Sequence, residues 1–226
     1  MIEAVAPSEG LGVVHLFCKP TPTFDRDAAV SALDDAITSG VQVVTVSMLG
    51  HKADVAIMAL HPDWWVLRRL QSAVSAAGLD IVDSFVSLTE ISEYAAGVPE
   101  EMRNMRLYPK LGDVHEDKPA WCFYPMSKKR EGHANWFTLP FEERKELMYE
   151  HGASGRTFKG RILQVITGST GVDDWEWGVT LFGQHPDDLK EVVYTMRFDE
   201  ASSVYAEFGT FYSGIVADPT TVFAAL

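Results

Sequence analysis

Cysteine is scarce here: Cys18 and Cys122 are the only two in 226 residues, and no CxxC pair exists. That count excludes a disulfide framework and a four-cysteine metal site. Taken with the lack of a recognisable signal segment, it points to a reducing, cytoplasmic setting. Long apolar runs are missing as well. None approaches the 18 residues of a spanning helix, so no membrane span is expected. Cations are outnumbered, with 19 Lys and Arg against 32 Asp and Glu, for a net charge of −13. Such a surface disfavours nucleic acid and anionic membranes, and a local basic pocket would stand out against it. Nor do the histidines, at 15, 51, 61, 115, 133, 151 and 185, pair at zinc spacing.

What is present suits a globular chain, with 46% hydrophobic and 23% charged residues. Its length allows one large or two small domains with a substantial core. GVVHLFCK (Gly12–Lys19) reads as a strand, and Asp25–Gly40 as a helix closed by glycine. Val41–Leu49 and Ala53–Leu60 read as strands, Pro62–Ala77 as a helix with Gly78 just past its end, and Ile81–Leu88 as a strand. The second half repeats that order. AWCFYPM is a strand, PFEERKELMYEHG a helix from Pro140 to Gly152, RILQVITG and WEWGVTLFG strands, HPDDLKEVVYTMRF a helix, and SVYAEFGTFYSGIV ends in a strand. Two β-α-β-β-α-β units predict an α+β fold of two ferredoxin-like halves, residues 1–94 and 119–226, joined by an irregular linker over 95–118. Antiparallel sheets of this kind pack together or close into a barrel with helices outside. The second half holds Trp121, Trp136, Trp175 and Trp177 and most of the arginines, so an active site is expected there.

WCFYPMSKK (Trp121–Lys129) carries the chemistry. Strand periodicity puts Tyr124, Met126 and Lys128 on one face. An aromatic and a methionine in the core beside a snorkelling lysine would explain them blandly. Equally, Lys128, Arg106 and Arg197 can receive carboxylates through charge-assisted hydrogen bonds. His151, directly before Gly152, reads either as a helix-end histidine favoured by the dipole or as a metal ligand. A lone histidine suits a haem iron, whose equatorial ligands come from the porphyrin. Gln164 is either a polar residue at a sheet edge or a neutral donor beside a haem. GSTG (Gly168–Gly171) joins two strands, so it reads as a hairpin turn and not a phosphate cradle.

Three long segments carry a family resemblance. YPMSKKREGHANWFTLPFEERKELMYEHG, GRILQVITGSTGVDDWEWGVTLF and VVYTMRFDEASSVYAEFGTFYSG resemble the coproheme decarboxylases of the chlorite dismutase superfamily. The likeness is close over about Arg106–Gly214 and looser before it, where SFVSLTEISEY is the recognisable piece. It implies a homopentamer with one porphyrin in each C-terminal half. It also implies hydrogen peroxide-dependent decarboxylation of two propionates of iron coproporphyrin III, giving haem b in haem biosynthesis, with a transient contact to the coproporphyrin ferrochelatase. Residue by residue, Tyr124 is similar to the redox tyrosine and His151 to the proximal iron ligand. Gln164 is similar to the distal glutamine. Arg106, Pro125, Met126, Ser127, Lys128, Trp136, Trp175, Arg197 and Ser202 resemble positions lining the porphyrin and its propionates. Some relatives use a distal histidine, and His115 lies near that loop.

The resemblance gives Tyr124 the role of a radical site and Lys128 that of holding the carboxylate to be lost. Extra residues, GDVHED, fall between RLYP and YPMSK, and Phe137 stands where relatives often have tyrosine. Chlorite dismutation is the rival enzymatic reading. It relies on a distal arginine, and a neutral amide such as Gln164 stabilises an oxyanion less well. A non-catalytic haem-binding or trafficking protein would need His151 and the pocket but neither Tyr124 nor Lys128.

Overall fold

The computed structural model describes residues 3–95 and 97–226. The first half is β1 (Gly12–Pro20), α1 (Arg26–Thr38), β2 (Gln42–Met48), β3 (Val55–His61), α2 (Trp64–Ala76) and β4 (Leu79–Thr89). Aspartates start both helices: Asp25 accepts from the Ala28 amide and Asp63 from the Trp65 amide. Gly78 ends the second helical segment at φ +86, a conformation that disfavours a side chain, and a Cβ there would also lie 2.7 Å from the backbone of Phe24.

The linker is less irregular than its composition suggests. It contains α3 (Glu100–Leu107) and α4 (Val114–Asp117), which Leu107 and Val114 fasten by their buried side chains. The second half follows with β5 (Ala120–Lys128), a two-stranded ribbon of β6 (Arg130–Glu131) and β7 (Ala134–Asn135), and a 3-10 turn at Trp136–Thr138. After these come α5 (Phe141–Arg156), β8 (Ile162–Gly168), β9 (Trp177–Gly183), α6 (Pro186–Met196) and α7 (Glu200–Ser203). The chain closes with β10 (Ala206–Phe208), β11 (Tyr212–Ala217) and α8 (Pro219–Ala224).

The helix expected to end at Gly152 runs on to Arg156. Neither Gly152 nor Gly155 is in a left-handed conformation, so neither ends the helix, and Gly155 faces Met196 of α6. The strand expected from Trp175 begins at Trp177, because Glu176 and Ser169 close the preceding loop by a main-chain bond of 2.8 Å. GSTG opens that loop between two paired strands, as the hairpin reading requires.

Among the described residues, the named strands all pair antiparallel. The order β5-β11-β2-β3-β1-β4-β8-β9 closes on itself because β9 also pairs with β5, while β10 continues the β11 side of β5. The result is a barrel of two ferredoxin-like halves, welded at β11–β2 and β4–β8. Alternation divides its residues cleanly. Phe17, Met58, Phe85, Trp121, Phe123 and Phe182 fill the interior. On the outside, Leu16 and Ile57 of the sheet pack with Leu33 of α1, Leu70 of α2 and Phe223 of α8. The outer face of the second half has a separate cluster built on Cys122, Tyr124, Val179 and Leu181, covered by Leu189, Val192 and Val193 of α6. His15 lies inside the barrel, with Nε2 3.0 Å from Thr180 Oγ1, and burial lowers its pKa to about 3. It is a neutral core residue.

Candidate functional site

β5 presents Cys122, Tyr124, Met126 and Lys128 outward, as its period of two demands. The register aligns Tyr124 with Val179 of β9 and Ile166 of β8, and Cys122 with Leu181 and Gln164. Gln164 therefore shares the Tyr124 face, one row away, on an exposed stretch of β8. Tyr124 is buried, stacked on Phe211 at 4.4 Å between centroids and edge-on to Phe208 at 5.8 Å. Burial pushes its phenol above the ordinary range and Cys122 adds to this, while the Arg197 guanidinium pulls the other way. A neutral phenol results. Arg197 caps α6 and lies 5.0 Å from the Phe208 ring, so the cation reaches the tyrosine's aromatic neighbour.

Lys128 ends the strand in a near-buried position, 8% exposed. Its Nζ donates to the Ala201 carbonyl at 2.6 Å and lies 4.2 Å from the Trp136 ring centroid. Burial lowers its pKa to about 8, and the carboxylates of Asp199 and Glu176 act against that fall. Trp136 in turn packs on Ala201 and Tyr205.

His151 stands inside α5, more than a turn before its end. The helix-cap reading of it is corrected, because the continuation to Arg156 removes the free carbonyl terminus it would have met. Nδ1 lies 3.0 and 3.1 Å from the two Asp199 oxygens and 3.3 Å from Ser202 Oγ. Burial opposes ionisation of Asp199, but its bond and charge interaction with His151, with its bonds from Ser202, outweigh that and hold its carboxyl below the usual range. An ionised Asp199 accepting the Nδ1 proton fixes the tautomer with the lone pair on Nε2. Nε2 makes no hydrogen bond among the described residues.

The structure thus sets Tyr124, Met126 and Lys128 on one strand face, with Arg197 beside the aromatic neighbour Phe208, and gathers Lys128, Trp136, His151 and Ser202 around the Asp199–Ala201 segment. Other expected residues lie apart. Pro125 and Ser127 alternate to the opposite face of β5, where Pro125 pairs with Gly178 and Ser127 Oγ accepts from the Glu176 amide at 3.2 Å. Trp175 packs on that same side, against Pro125 and Gly209. Arg106 is exposed on α3 and makes no hydrogen bond or ion pair among the described residues. His115 sits on α4, at the other end of β5 from Lys128.

Two residues went unnoticed in the sequence. Asp199 is the helix-capping aspartate of DEAS, accepting from the Ser202 amide at 3.1 Å, so its N-cap pattern was the available signal. Glu176, 5% exposed, stands between two tryptophans at a strand start, an unusual place for a carboxylate.

An iron porphyrin fits this donor set: an imidazole with Nδ1 committed and Nε2 unbonded among the described residues, an apolar aromatic wall, and the cations Lys128 and Arg197. Among the described residues no cluster of three His, Cys, Asp or Glu side chains can hold a metal ion, and no helix is long and apolar enough to cross a membrane.

Comparison with known proteins agrees. The description of the chlorite dismutase family matches residues 26–217. A coproheme decarboxylase from Staphylococcus carnosus is 43% identical over 249 residues, covering 98% of each chain. A heme-binding protein from Natronomonas pharaonis is 39% identical over 96% of this chain, which spans 41% of that longer protein. A heme-binding protein of known structure from Thermus thermophilus superposes with a TM-score of 0.84 at 34% identity, over 99% of both chains.

Proposed function

The chain belongs to the chlorite dismutase family, and we propose that it is a peroxide-dependent decarboxylase that converts iron coproporphyrin III to haem b. The observation that carries this reading is the single strand face shared by Tyr124 and Lys128, together with a histidine whose Nδ1 is already committed to Asp199. A haem carrier needs only the histidine. The buried phenol and the ammonium at the strand end suit a substrate bearing carboxylates.

When bound, the iron porphyrin together with peroxide supplies the oxidising power. This chain's residues do the rest. His151 would hold the iron through Nε2, its ring oriented by Asp199 and Ser202. Lys128 and Arg197 hold propionate carboxylates by charge-assisted hydrogen bonds. Tyr124, neutral at working pH, loses an electron and its proton to become a phenoxyl. It then takes a hydrogen atom from the β-carbon of the adjacent propionate and returns to phenol. Loss of CO₂ with one further electron leaves a vinyl group. Each turnover balances as propionate, peroxide and one proton giving vinyl, CO₂ and two waters, and two turnovers complete the conversion. The proximity of Phe208 and Phe211 excludes water from the phenol, which preserves a radical there.

A homopentamer, a handover from the coproporphyrin ferrochelatase, a cytoplasmic setting, a wall position for Trp136 and a distal donor role for Gln164 belong to the same proposal. The test is Tyr124→Phe. The variant should bind iron coproporphyrin III with affinity near that of the wild type and yield no vinyl product. Unchanged turnover would remove Tyr124 from the chemistry.

A further inference from the structure

We propose that Glu176 is a positioning residue for Lys128, fixing the end of β5 and supplying the buried counter-charge that keeps the ammonium ready for a carboxylate. The inference rests on the reading of Lys128 as a carboxylate-binding group.

The geometry is reciprocal. The β5–β9 ladder ends at the pair Met126–Trp177, so the next backbone groups of β5 have no strand partner on that side. Glu176 takes over the role with its own atoms. Its carboxylate accepts the Lys128 amide proton at 2.8 Å, and its amide donates to Ser127 Oγ at 3.2 Å. One residue thus grips two consecutive positions of β5. Its carbonyl, bonded to the Ser169 amide at 2.8 Å, anchors the grip to the loop after β8. On the other side of β5, Lys128 pairs with Ala206 of β10, and the Lys129 amide bonds to the Tyr205 carbonyl. The strand end is therefore held from both flanks, and the Lys128 side chain has one direction to leave: toward Trp136 and Ala201.

A buried carboxylate is costly unless its charge is answered. Arg130, on β6, reaches to 3.9 Å from the other oxygen of Glu176 but is itself largely exposed. The charged groups facing Lys128 are Glu176 from the loop before β9 and Asp199 from the start of α7. Asp199 has the larger effect on Lys128 but also serves His151 and Ser202, whereas Glu176 is bonded to β5 itself and adds its charge to that of Asp199. Burial alone would drive Lys128 toward the neutral amine. An amine cannot answer a propionate by charge, so Glu176 maintains the form that can.

Two readouts separate positioning from mere structure. In the unliganded full-length protein, trace acetylation across pH 6.5–10 reports the titration of Lys128. Glu176→Gln keeps an oxygen acceptor for the Lys128 amide but removes the charge, and should shift the Lys128 midpoint down by about one pH unit. Glu176→Asp keeps the charge but shortens the reach, and should leave the midpoint within a few tenths of a unit. Binding of metal-free coproporphyrin III, followed by its fluorescence at pH 8, should then be about fivefold weaker in Glu176→Gln than in wild type, which follows from the smaller protonated fraction. An unchanged midpoint in Glu176→Gln, or equal shifts in the Gln and Asp variants, would overturn the proposal. Should Glu176→Gln fail to fold, the Asp variant decides it: a midpoint moved down despite the retained charge overturns the counter-charge role. Lys128→Met separates the two readings: if it binds the porphyrin as tightly as wild type at every pH, Lys128 does not hold propionates, whatever the acetylation result says of Glu176.

Discussion

His151 Nδ1 and the Asp199 carboxylate lie 3.0 Å apart, linking the middle of α5 to the first residue before α7. The pair defines what the histidine can do. With its proton held by an ionised partner on one side, the imidazole is an electron-rich donor on the other. Ser202, within 3.3 Å of the same nitrogen, reinforces the orientation.

The first prediction removes the charge from that pair. Asp199→Asn keeps a side chain able to cap α7 and accept from His151, but loses the negative charge. Affinity or turnover with iron coproporphyrin III should fall by about 10- to 100-fold. The iron–histidine stretching frequency, read by resonance Raman, should fall with it. An unchanged frequency would show that Asp199 does not tune His151.

The second prediction follows from the titration of Lys128. Its folded-state pKa of about 8 lies below the ordinary lysine value of 10.5. Between those values the unfolded chain holds a proton that the folded chain has released, so stability rises with pH across that window. Below pH 8 the buried ammonium costs the folded state on the order of 3 kcal/mol at most. Lys128→Met should therefore be more stable than the wild type in chemical unfolding at pH 7, with the difference closing as pH approaches 10. A difference that does not vary with pH would contradict the assignment.

The third prediction concerns the joint between the halves. Gly214 of β11 pairs with Met48 of β2 and Trp121 of β5. A Cβ there would stand 2.5 Å from the Ser47 carbonyl oxygen, which is backbone and has little freedom to move. Gly214→Ala should cost about 1–3 kcal/mol, seen as a lowered Tm in a thermal melt. A variant that melts with the wild type would show that the β2–β11 joint yields easily.

Much of this molecule was legible from its residues. Periodicity gave both β-α-β-β-α-β units and the outward face of Tyr124, Met126 and Lys128, because a strand's alternation is local. Glycine punctuation misled at Gly152: a glycine ends a helix only where its backbone turns left-handed, and here it stays helical as α5 runs on to Arg156. The pairing of His151 with Asp199 spans 48 residues and depends on how α5 meets α7, which no local pattern encodes. Pro125 and Ser127 belong to a motif that supplies both faces of β5, so sequence proximity grouped them with Tyr124 while alternation turns them to the other face; Trp175, in the loop before β9, lies on that side with Pro125 and Gly209. The charged linker hid two short helices because their anchors, Leu107 and Val114, are isolated among polar neighbours.

The most direct measurement of the central claim is the mass of the porphyrin. The full-length protein loaded with iron coproporphyrin III should, as hydrogen peroxide is titrated in, show two successive losses, each equal to one CO₂ with two hydrogens, through a three-propionate intermediate. A porphyrin whose mass stays fixed, or that is only bleached, would contradict the decarboxylase account.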